Sequence, residues 1–135
     1  MIRELNINTG ARAEMLNVTA QVADVVRECG VIEGTCQLFV PHTTAAVTVN
    51  EQADPSVVRD MLAQLDRMVP ERTDYEHAEG NSPAHVKCSL IGVSLVLAVA
   101  GGRLALGTWQ GLFFCEFDGP RQRRLWVKVT ADENG

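Results

Sequence analysis

The tightest constraint on this chain is the string of strand-like runs in its second half and the short turns between them. Residues 86–91, 93–98, 104–106, 108–117 and 125–129 are apolar or alternating runs of strand length. Gly101-Gly102 reads as a hairpin turn between two of them, and Asp118-Gly119-Pro120 as another. Strands joined by turns this short must run antiparallel, because a parallel partner needs a long crossover.

The first half adds helices to that framework. Leu5 and Ile7 alternate with polar neighbours and predict an opening strand. Val18, Val22, Val25, Val26 and Cys29 recur at helical spacing, with Gly30 placed to end the helix, so a helix is predicted over 17–29. Residues 36–40 read as a strand stopped by Pro41, and 45–50 as another. Asp54-Pro55 then supplies a helix N-cap and first position, and Val57, Val58, Met61, Leu62, Leu65 and Met68 form an apolar stripe that Pro70 closes. Two helices and about eight strands predict an α+β fold: β-sandwich-like antiparallel sheets with two helices packed on one side. At 135 residues, 1–135 is expected to be a single domain.

Residues 71–84 are polar and without periodicity, and a structureless loop of that length in a compact domain is usually functional or mobile. The formal charge of −5 offers no field for nucleic acid or an anionic membrane. The longest apolar run, 93–100, falls well short of the roughly 20 residues that span a bilayer. No apolar leader opens the chain, so a cytoplasmic location is expected. The four cysteines form no Cys-x-x-Cys pair and read as small buried hydrophobes rather than a disulfide set.

Chemistry concentrates on three histidines. His42 follows Pro41 at a strand end, His77 lies in the long loop, and His85 closes that loop. Histidine carries protons near neutral pH or binds metal. Gly80 and Pro83 argue against one continuous helix presenting His77, Asn81 and His85 together. Three imidazoles with an open fourth position would suit Zn2+, whereas metal-free acid–base or phosphate-contacting histidines form the favoured alternative. Glu51 is a free carboxylate that can act as base or hold Mg2+, while Asp54 is accounted for as a cap. Trp109 reads as a core residue. Arg121, Arg123 and Arg124 form the one dense basic cluster, which reads first as solvated and otherwise as a phosphate clamp.

Three blocks in order resemble the YjbQ-type secondary thiamine-phosphate synthase family. The first is Pro41-His42-Thr43-Thr44-Ala45-Ala46 with Asn50-Glu51 and Asp54-Pro55. The second is Tyr75-Glu76-His77 with Asn81 and Ala84-His85-Val86-Lys87. The third is Leu106-Gly107-Thr108-Trp109-Gln110 with Glu116-Phe117-Asp118-Gly119-Pro120-Arg121. The resemblance implies a homotrimer and an enzyme that joins hydroxymethylpyrimidine pyrophosphate to thiazole phosphate, a secondary activity whose physiological counterpart is open. It implies catalytic roles for His42, Glu51, His77 and His85, and contacts to a small phosphorylated metabolite from Thr44, Asn50, Asn81, Gln110 and Arg121. No metal is assigned, with Mg2+ and Zn2+ as the candidate ions. A metal-dependent hydrolase and a non-catalytic binder of a phosphorylated metabolite are the alternatives.

Overall fold

The computed structural model describes residues 1–72 and 74–133. The elements run β1 (Ile2–Asn8), β2 (Glu14–Asn17), α1 (Thr19–Cys29), β3 (Gly34–Phe39), β4 (Ala45–Glu51), α2 (Pro55–Met68), α3 (Ser82–Ile91), β5 (Ser94–Ala100), β6 (Arg103–Leu104), β7 (Gln110–Glu116) and β8 (Gln122–Ala131). They form a five-stranded sheet in the order β1-β8-β3-β5-β6 and a three-stranded sheet in the order β2-β7-β4. All pairings are antiparallel, though only β5 and β6 are joined directly by a tight turn.

Strand alternation decides which side chains meet. Leu125 and Val127 of β8, Cys36 and Leu38 of β3 and Val99 of β5 point inward. They face Ala45 and Val47 of β4 and Leu112 and Phe114 of β7 in one core, which also takes Val22, Val25 and Val26 of α1. The other face of the small sheet carries Met15, Ala46, Phe113 and Cys115. These pack with Val58, Met61, Leu62 and Leu65 of α2 and with Ala84 and Ile91 of α3. Each fully buried Val or Leu contributes about 1.5–3 kcal/mol relative to exposure, which fixes the register of both sheets. Gly34 is required by the close approach of β3 to β8, since a Cβ there would lie 2.0 Å from the Thr130 carbonyl oxygen.

The α+β class is as the sequence predicts, but the helices differ in number and placement. Residues 86–91 are not a strand; they belong to α3. The apparent alternation of Val86, Cys88 and Leu90 misleads, because the buried residues are Pro83, Ala84, Lys87 and Cys88, at helical spacing. Pro83 lies in the first turn, where a missing N–H does no harm. Nor do the helices share one side, because α1 serves the core between the sheets while α2 and α3 cover the small sheet's outer face.

Two connections also depart from expectation. Gly101-Gly102 does make the β5–β6 hairpin, with φ of 59° and 77°. Asp118-Gly119-Pro120 does not make a hairpin, since β7 and β8 lie in different sheets. That turn is a corner carrying the chain from one sheet to the other. Among the described residues, no helix is long and apolar enough to cross a membrane.

Candidate functional site

Two such corners lie side by side at one end of the sandwich. Residues 40–44 leave the large sheet after β3 and enter the small one at β4, while residues 117–121 make the reverse passage from β7 to β8. The Phe117 amide donates to the Thr44 carbonyl at 3.2 Å and ties the corners together. The start of α3 and the loop before it close the third side. The result is an open polar cleft of about 440 Å³, lined by Pro41, His42, Thr43, Thr44, His77, Glu79, Asn81, His85, Asp118, Arg121 and Arg123.

A buried ion pair joins the two sheets at the cleft floor. Arg123 Nε donates to Glu116 Oε1 at 2.8 Å, and Arg123 Nη2 reaches Glu116 Oε2 and, at 2.8 Å, Thr44 Oγ1. Glu116 is 0% and Arg123 5% exposed, so the carboxylate is shielded from water while the guanidinium keeps one edge toward the cleft. Thr9 Oγ1 and the Asp118 amide also donate to Glu116. Burial pushes the Glu116 carboxyl upward, but the hydrogen bonds from Arg123, Thr9 and Asp118 outweigh it and hold the group below its ordinary range. Arg123 Nη1 has no partner among the described residues and is not sealed from solvent.

The three histidines meet around this floor. His77 and His85 stand edge to face with ring centroids 5.3 Å apart. His85 belongs to α3 rather than to a loop end before a strand. His42 uses its ring to cap the large sheet: beyond the last β3–β8 pair, Phe39 with Trp126, the Arg124 amide donates to His42 Nε2 at 2.9 Å. Burial, followed by the cation of Arg123, lowers the His42 pKa against a smaller opposing pull from Glu116.

On the other wall, Asp118 Oδ2 accepts from Asn81 Nδ2 at 2.9 Å and from Arg121 Nη2 at 3.0 Å. Burial raises the Asp118 pKa, but these two bonds bring it below its usual value. Because a carboxylate can only accept, the Asn81 amide is oriented by it, and Asn81 Oδ1 is left buried with no partner among the described residues.

Six of the nine residues singled out in the sequence therefore line one cleft: His42, Thr44, His77, Asn81, His85 and Arg121. Asn50, Glu51 and Gln110 do not. They sit at the opposite end of the β4–β7 ladder, where Glu51 pairs with Gln110, whereas Ala45 pairs with Glu116 at the cleft end. Six strand residues separate the two ends by about 20 Å. Glu51 accepts from the Asp54 amide at 3.2 Å, and the Gln110 side chain closes a turn on Gly107 at 2.7 Å. Within one chain these three cannot share the cleft. Trp109, expected in the core, is 64% exposed beside them.

The described residues hold no group of three or more His, Cys, Asp and Glu side chains arranged to bind a metal ion. Zn2+ on the three histidines does not fit, because the His42 Nε2 lone pair is already bonded to the Arg124 amide. The sequence reading gave Glu116 no role and named Arg123 only within a basic cluster, without its buried partner. Their signal was present: Arg123 is in phase with the inward-facing Leu125 and Val127, and Glu116 with Leu112 and Phe114. Opposite charges at core-facing strand positions should be read as partners.

Residues 3–132 match the family described as UPF0047 protein YjbQ-like. A UPF0047 protein of Methanocaldococcus jannaschii is 43% identical over 133 residues, covering 98% of this chain and 96% of its own. The UPF0047 protein YugU of Bacillus subtilis is 45% identical over 132 residues, covering 97% of this chain and all of its own, 100%. A YjbQ/UPF0047 crystal structure from Clostridium acetobutylicum superimposes with a TM-score of 0.93 at 47% identity, over 95% of this chain and 99% of that one. A YbjQ-like protein of Sulfolobus solfataricus gives a TM-score of 0.93 at 30% identity, over 98% of this chain and 97% of that one.

Proposed function

The chain belongs to the UPF0047 YjbQ-like family, and from that premise we propose an enzyme that acts on a small phosphorylated metabolite in the histidine cleft. The reaction to test first is thiamine-phosphate synthesis. In it, the bond from the pyrimidine methylene carbon to pyrophosphate oxygen breaks and the thiazole nitrogen bonds that carbon. Pyrophosphate leaves with the bonding electron pair. The observation that carries this reading is the convergence of three histidines, two arginines and two threonines on one cleft. Pyrophosphate needs fixed donors where its charge develops. Arg121 and the free nitrogen of Arg123 supply cations, and Thr43 and Thr44 supply hydroxyls. Proton exchange with the departing group is assigned to His77 and His85, whose rings meet edge to face.

The experiment supplies both substrates to purified protein and follows thiamine phosphate and pyrophosphate. His85→Ala should lower turnover by roughly 10²–10⁴-fold with little change in melting temperature, since His85 is only half-buried. Full activity in the folded variant removes His85 from the chemistry. No product from the wild type, with pyrophosphate still bound, leaves a binding protein.

A homotrimer and a cytoplasmic location complete the proposal. The feature favouring assembly is the outer face of the five-stranded sheet. There Ile2, Phe39, Val96 and Trp126 surround an apolar groove of about 330 Å³, with Val96 66% exposed. Exposed apolar patches of this kind mark interaction surfaces.

A further inference from the structure

We propose that His42 serves the cleft as a neutral Nδ1–H hydrogen-bond donor, fixed in that tautomer by the Arg124 backbone, and neither takes up protons nor binds metal. The inference rests on the phosphate-site reading above and assigns one side chain within it.

The argument starts from the valence of imidazole. A neutral ring carries one N–H and one lone pair, and a bond made at one nitrogen decides what the other can do. The Arg124 amide can only donate, so His42 Nε2, 2.9 Å away, must accept. The proton then belongs to Nδ1. That atom has no partner among the described residues and is not sealed from solvent, and the open space His42 lines is the cleft.

Protonating Nε2 would set two N–H groups against each other. The nearby charges oppose it further, since the guanidinium groups of Arg123 and Arg124 both disfavour a second cation and Glu116 offsets them only in part. A metal at Nδ1 would need that nitrogen's proton removed while Nε2 still accepts, which demands an imidazolate. What remains is a donor aimed at an oxygen. Thr44 and Arg123 line the same cleft, and a neutral N–H donor among a hydroxyl and a guanidinium suits an oxyanion such as phosphate or pyrophosphate.

The test uses the full chain, nitrogen-15 labelled, with inorganic pyrophosphate as the probe. Imidazole nitrogen shifts at neutral pH should show His42 protonated at Nδ1 and unprotonated at Nε2, and the Nδ1 resonance should move as pyrophosphate is added. The mutant pair separates the two nitrogens. Asn places its amide near the Nδ1 position and Gln near Nε2. His42→Asn should therefore bind pyrophosphate within a few-fold of the wild type, whereas His42→Gln should lose about 10-fold or more, the scale of one hydrogen bond to a charged group.

An Nε2–H tautomer or an imidazolium at neutral pH overturns the assignment, as does equal loss in both variants. If wild type fails to bind pyrophosphate, the phosphate-site reading falls and the donor role falls with it. A correct tautomer would then remain as a property of the fold alone.

Discussion

His42 and Glu116 couple the cleft to pH in two separate windows. Both have folded pKa values below their ordinary ones, of 6.5 and 4.5 respectively. A histidine whose folded pKa is lowered contributes stability that is complete above about 6.5 and is lost as pH falls through that value toward the folded one. A lowered carboxylate behaves the same way in its own range. The urea midpoint should therefore hold steady from pH 8 to 7, decline on acidification below about 6.5, and decline again below the carboxylate range. His42→Asn should remove the first decline and leave the second. A first decline that survives in the variant would mean another group causes it. The residue scale also shows what sequence could reveal of the site. Histidines stood out by type, but Arg123 hid among neighbours that are solvated, and only its phase in β8 distinguished it.

Among the elements, α2 was legible at both ends because Asp54 and Pro55 at its start and Pro70 beyond its end act locally. The Asp54 side chain accepts from the Ser56 amide at 2.9 Å, as a cap should. The helix has no fully buried residue, so that bond holds a larger share of its stability than usual. Asp54→Ala should destabilise α2 by about 1 kcal/mol, read as faster amide hydrogen exchange across 55–68 while the strands keep their protection. Unchanged exchange would show that packing on the small sheet alone fixes the helix. By contrast, α3 was illegible as a helix because its buried stripe includes Lys87. The Lys87 ammonium is hidden by pairing with Asp66 of α2 and lies 5.9 Å from the Phe117 ring centre, a long-range arrangement no local pattern records. Strand β2 escaped notice for a similar reason, since Met15 is the one residue of its four that is buried.

At the scale of the whole molecule, the class of fold followed from alternation and short turns, but the assignment of strands to sheets did not. A tight turn looks the same whether it makes a hairpin or a corner, and the β7–β8 turn proved to be a corner. The same limit explains Asn50, Glu51 and Gln110, which resemblance grouped with the histidines and the β4–β7 ladder holds apart. The proposed trimer is checked by light scattering at micromolar concentration, with three chain masses expected for wild type and one for Val96→Glu. A monomeric wild type overturns it. The Glu116–Arg123 corner has a last consequence, for anyone breeding a tougher version of the protein. Removing one partner strands a buried charge and costs about 3–5 kcal/mol, whereas replacing both with apolar residues is often neutral or gains about 1–4 kcal/mol. A library screened for heat resistance alone should drift toward that apolar pair, and its winners would melt higher with the cleft floor erased.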